Sequence, residues 1–93
     1  MASKKTLVVI NSYNLKDQTN LLYSELKANE DGSYDTVILD NGSKPENVSE
    51  YAYIKFQNNI FYSGAFKYAL DLAIRNKDKY DSNQFVICSL SLK

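Results

Sequence analysis

At 93 residues the chain has room for one domain, and a hydrophobic content of 44% with 24% charged residues excludes a disordered polymer. Eleven basic and 11 acidic side chains cancel, so the chain lacks the electrostatic footprint of a nucleic-acid module. One cysteine, Cys88, and no histidine exclude an internal disulfide and a zinc-type site within the chain.

The basic start is followed by an apolar run that stops at Ile10, too short for a signal core or a membrane span. A cytoplasmic protein is the default expectation. That run, Thr6-Leu7-Val8-Val9-Ile10, is β-branched and lacks alternation, which predicts a central parallel strand buried on both faces. Asn11-Ser12-Tyr13-Asn14 ends it. Asn14, with Asp17 three residues on, has the form of a helix N-cap with an acidic first turn. Leu15, Leu21, Leu22 and Leu26 recur at helical spacing, predicting a helix from about 15 to 29 that closes near Gly32.

Thr36-Val37-Ile38-Leu39 predicts a second buried strand, cut off by Asp40-Asn41-Gly42-Ser43. A loop with one helical turn is expected over 44–50, a more alternating third strand over 51–56, and an irregular polar stretch over 57–63. Ala65, Phe66, Ala69, Leu70, Ala73 and Ile74 form a wide apolar stripe on a helix expected over 64–76. Phe85-Val86-Ile87-Cys88 predicts the last strand. The series implies a three-layer, Rossmann-like α/β half-domain. Its expected core is a four-stranded parallel sheet of order 3-2-1-4 with helices on both faces.

In such a sheet ligands bind beyond the carboxyl ends of the strands. Residues 11–14, 40–43 and 57–64 fall on that rim. Asp40 can accept a hydrogen bond from a base imide or a ribose hydroxyl, and Tyr13 can lay its ring on a base, a contact worth about 1–3 kcal/mol. Gly42 permits positive φ, and the amides opening a helix at Gly64 can face a phosphate. Each feature also has a plain structural use. Asp-Asn-Gly-Ser makes ordinary turns, Tyr13 is one of eight tyrosines, Gly64 lets a helix approach a sheet, and Asn59 can cap that helix.

Taken in order, Val8-Val9-Ile10-Asn11-Ser12-Tyr13-Asn14, Val37-Ile38-Leu39-Asp40-Asn41-Gly42-Ser43 and Asn59-Ile60-Phe61-Tyr62-Ser63-Gly64-Ala65-Phe66-Lys67 resemble three successive motifs of the inverting GT-A glycosyltransferases of family 2. The resemblance spans nearly the whole chain. It implies the N-terminal nucleotide-binding part of such an enzyme, taking a UDP-sugar-like donor through Ser12, Tyr13 and Asp40. Asn14, Asn41, Asn59 and Gly64 follow as lesser candidates.

The chain departs from the family pattern at Asn11, Phe61 and Lys67. Ser89-Leu90-Ser91 stands where the family has the Asp-x-Asp pair that holds Mg²⁺ or Mn²⁺, and neither that pair nor a catalytic base is present. A truncated domain without catalytic residues, inactive alone, is therefore expected. A non-catalytic Rossmann-like binding or interaction module is the alternative. A receiver-like phosphoacceptor domain fits poorly, because Asn11-Ser12 supplies no carboxylate for Mg²⁺. The last strand is expected at a sheet edge, with self-association through it.

Overall fold

The computed structural model describes residues 4–89. Four strands, β1 (Lys5–Ser12), β2 (Tyr34–Asp40), β3 (Ile54–Lys55) and β4 (Tyr80–Ser89), form one sheet in the order β3-β2-β1-β4. Every pairing is parallel, as the two buried apolar runs require. The sheet is curled, with α1 (Lys16–Ala28) and α2 (Phe61–Arg75) packed on it. The fold expectation holds in class, strand order and direction.

Strand pleating sends successive side chains to opposite faces, and the contacts show both faces covered. Leu7, Val9 and Leu39 pack with Ala69, Ala73 and Tyr80 on the α2 face. Ser12, of opposite parity to Val9, meets Thr19 of α1 on the other. Val8, Ile10 and Ile38 are buried on that second face. Within the expected stripe of α2 only Ala65, Ala69 and Ala73 are fully buried, while Phe66 and Ile74 are exposed. Three alanines at i, i+4 and i+8 let the helix axis come close to the sheet, and that closeness leaves the flanking large residues outside.

Four element boundaries differ from the sequence expectation. Asn14 is not the N-cap of α1: it sits at φ 54, and Leu15 takes the cap position without a side-chain bond. The Asn14 side chain is used elsewhere, accepting from the Lys44 amide at 2.9 Å. The strand expected over 51–56 shrinks to Ile54–Lys55, because Tyr51 is turned onto Tyr23 of α1, rings 5.3 Å apart, and Ser49 takes the Tyr51 and Ala52 amides. Helix α2 starts at Phe61 rather than Gly64, whose amide already donates to the Ile60 carbonyl. β4 begins at Tyr80, well before the apolar run, since Tyr80 pairs with Lys5 ahead of an irregularity.

Tyr80 also closes the amino-terminal end of the sheet. Its hydroxyl donates to Asp35 at 2.8 Å, and Lys5 and Lys79 approach the same carboxylate at 3.1 and 3.3 Å. Burial pushes the Asp35 carboxyl up, but the donors from Tyr80, Lys5 and Lys79 outweigh it and hold the pKa below the ordinary value. Burial first, and then the bond to Asp35, push the Tyr80 phenol up to about 12.

The signs differ. Asp35 stabilises the fold above its unfolded pKa of about 4, and that contribution disappears as pH falls through the depressed value. Tyr80 stabilises fully below its unfolded pKa of about 10, and the contribution is lost as pH rises toward about 12. Tyr80→Phe is expected to lower neutral-pH stability by about 1 kcal/mol and to remove part of the alkaline decline. Urea midpoints from pH 7 to 12 check this: equal alkaline slopes in both proteins would disprove it.

Candidate functional site

All four strands deliver their carboxyl ends to one rim, and the register fixes which residues meet there. Ser12 stands opposite Asp40 and Asn11 opposite both Leu39 and Ser89. The loops that follow are tied to one another. The Asn14 amide donates to Ser43 Oγ at 2.8 Å, and Asn14 Oδ1 accepts from the Lys44 amide at 2.9 Å and from Asn47 Nδ2 at 3.3 Å. An asparagine tolerates the left-handed φ this needs, because its short polar side chain bonds locally.

Asp40 is fully buried. Its Oδ2 accepts from the Ser43 amide at 2.9 Å and its Oδ1 from the Ser43 hydroxyl at 2.7 Å. The carboxylate thus closes its own turn. Ser12 is likewise buried, its hydroxyl 2.7 Å from Thr19 Oγ1. Of the residues picked out for nucleoside contact, Tyr13 is the one openly presented, 41% exposed.

Asn41 is buried and joins three elements. Its Nδ2 donates to Asn11 Oδ1 at 3.0 Å and to the Phe61 carbonyl at 3.1 Å, while its Oδ1 accepts from the Ile60 amide at 2.7 Å. Asn11 Nδ2 extends the chain of bonds to Ser89 Oγ at 3.1 Å. Asn59 Oδ1 accepts from the Phe61 amide at 2.7 Å, so it does serve the start of α2. Phe61 itself is at φ 61 and is 71% exposed, an uncommon conformation for a bulky residue. The Gly64 amide is committed within the helix and does not face the rim as an open donor.

A polar cleft of about 370 Å³ opens beside these loops, lined by Asn14, Leu15, Lys16, Asp17, Gln18, Glu46 and Asn47. Only Asn14 among the predicted site residues lines it. The cleft arises between the first turn of α1 and a 3-10 turn over Pro45–Asn47. Glu46 and Asn47 escaped the sequence reading, although proline at the first position of that turn marked a helical start there.

The residues present do not fit a divalent cation. Ser89, at the end of β4, offers a neutral hydroxyl already bonded by Asn11, whereas Mg²⁺ and Mn²⁺ prefer carboxylate oxygens. Among the described residues no group of three or more His, Cys, Asp or Glu converges on one point. Leu90 and Ser91 lie outside the described residues. Among those described, no helix is long and apolar enough to cross a membrane. No protein-family model, curated protein or solved structure matches the chain.

Proposed function

We propose that this chain forms the nucleoside-binding part of a nucleotide-sugar-dependent glycosyltransferase, taking a UDP-type donor at the carboxyl rim and not transferring sugar on its own. The observation that carries this is the tie between the first and second loops. Through the Asn14–Ser43 and Asn14–Lys44 hydrogen bonds, Tyr13 and the Asp40–Ser43 turn belong to one rim, in the order and spacing of the sequence motifs. In this reading the exposed Tyr13 ring stacks on the base, while Asp40 shapes the loop beneath it through Ser43.

A second reading, a non-catalytic binding module that has kept the fold, is favoured by two observations. The Asp40 carboxylate is wholly enclosed, with both oxygens bonded by Ser43, and the donor set at Ser89 suits no divalent cation. Binding of a uridine nucleotide at Tyr13 separates the two readings, because the first requires a nucleoside pocket on this rim and the second does not.

Calorimetric titration of UDP and a UDP-sugar tests the proposal on the wild-type chain and on Tyr13→Ala. Saturable binding is expected for the wild type. Loss of the stacking contact, about 1–3 kcal/mol, corresponds to a weakening of roughly 5- to 150-fold in the variant. Absence of UDP binding to the wild type defeats the proposal. Equal affinity in Tyr13→Ala removes the site from this rim. Asp40→Ala is the poorer probe, since it also takes away the acceptors that hold Ser43.

A further inference from the structure

We infer that the free edge of β4 is a docking surface for a second copy of this chain, two sheets joining edge to edge along residues 85–89. The two ends of the sheet differ in kind. At one end β3 is two residues long and carries an exposed lysine, Lys55, a length and a charge that discourage pairing. At the other, β4 runs for ten residues. Among the described residues no strand lies beyond it.

The ladder between β1 and β4 is regular where Leu7 to Asn11 meet Phe85 to Ser89, the irregularity lying ahead of Leu7. The far side of that segment therefore presents an even row of backbone donors and acceptors, ready for another strand. None of the usual protections is written into it. Residues 82–89 include no charged residue, proline or glycine.

Both faces beside this edge carry exposed apolar groups. Val86, in register with Val8, lies on the α1 face. Helix α1 sits over β1 and β2, which leaves Val86 46% exposed. On the opposite face α2 covers β4, and Phe66 packs on Phe85 with ring centres 5.4 Å apart. Phe66 nevertheless remains 40% exposed, with Tyr62 beside it.

A second copy suits this surface on three counts. A two-fold axis normal to the sheet pairs the two β4 edges antiparallel, so each supplies the unpaired backbone that the other lacks. The same axis leaves both α2 helices on one face and both Val86 side chains on the other. Each exposed apolar group then meets its own kind, with the Phe66–Tyr62 pairs brought face to face. The equal numbers of acidic and basic residues remove the net repulsion that keeps like proteins apart. Because the short β3 edges remain outermost, assembly stops at two.

Sedimentation velocity across a concentration series, on the wild type and on Val86→Lys, Val86→Glu and Tyr51→Lys, tests the inference. The wild type is expected to sediment as a reversible dimer. Each Val86 variant, folded by circular dichroism, is expected to raise the dissociation constant at least about tenfold through like charges on neighbouring strands. Mixing the Lys and Glu variants is expected to restore the dimer, and Tyr51→Lys, on the β3 side of the molecule, to leave it unchanged. A wild type that stays monomeric at the highest reachable concentration overturns the inference. So do assemblies larger than two, a dimer indifferent to Val86, or a Lys–Glu mixture that remains monomeric.

Discussion

Gly42→Ala is expected to cost about 2–5 kcal/mol of stability, the sum of a left-handed backbone penalty and an overpacking penalty. Gly42 sits at φ 84, where a side chain is strained whatever the space around it. Here there is also no space. A β-carbon would lie 2.5 Å from the carbonyl carbon of Asn58 and 2.5 Å from the amide nitrogen of Asn59. Those are backbone atoms of the segment leading into α2, which cannot swing aside as a side-chain tip can. Gly32 provides the control, since it has φ 95 but nothing within 4 Å of its virtual β-carbon, so Gly32→Ala should cost only about 1–2 kcal/mol. In a domain of this size each kcal/mol moves the melting temperature by roughly 4–8 °C. Thermal melts of the two variants should therefore differ by the overpacking share of about 1–3 kcal/mol, roughly 4–24 °C on this scale, and coincident melts would show that the loop over Gly42 moves freely away from the 58–59 segment.

Much of this architecture was legible because its determinants are local. The runs at Thr6–Ile10 and Thr36–Leu39 are apolar at consecutive positions, which suits only strands covered on both faces, and the sheet does bury Leu7, Val9, Ile10, Ile38 and Leu39 completely. The strand order follows from short right-handed crossovers. What escaped was decided by partners distant in sequence. Asn14 and Asp17 carry the signature of a helix cap, but Lys44, 30 residues away, claims the Asn14 side chain. The aromatic alternation at 51–56 resembles a strand, yet Tyr51 serves α1 through Tyr23.

The candidate site divides along the same line. That the loops after β1 and β2 share a rim was readable from strand direction alone, and the Asn14–Ser43 bond is its outcome. Whether an aspartate at a strand end faces a ligand or its own turn depends on the side chain three residues on. Ser43 returns both its amide and its hydroxyl to Asp40. An Asp-x-x-Ser turn of this kind agrees with the sequence, where Asp-Asn-Gly-Ser taken alone reads as an ordinary turn.

Asn41→Leu is the second substitution with a large expected effect, about 3–5 kcal/mol, because it orphans three polar groups at roughly 1–3 kcal/mol each before relaxation. Those groups are Asn11 Oδ1, the Ile60 amide and the Phe61 carbonyl. Leucine has as many side-chain heavy atoms as asparagine in a bulkier form, so no cavity opens and lost hydrogen bonding, with some overpacking, makes up the change. Part of the loss is recovered locally: Phe61 is held at φ 61 between Asn59 on its amide and Asn41 on its carbonyl, and releasing one end relieves a strain of about 1–2 kcal/mol.

Double-mutant cycles discriminate a connected network from a set of independent bonds. Because Asn11 is bonded to both Asn41 and Ser89, Asn11→Ala and Asn41→Leu together should cost at least about 1 kcal/mol less than the sum of the single changes. Pairing Asn41→Leu with Gly32→Ala, in the loop joining α1 to β2, should be additive. Additivity for Asn11 with Asn41 would mean that each side chain acts alone, and the rim would then lack the polar brace between β4, β1, β2 and the start of α2 that keeps the Tyr13 and Phe61 loops in place.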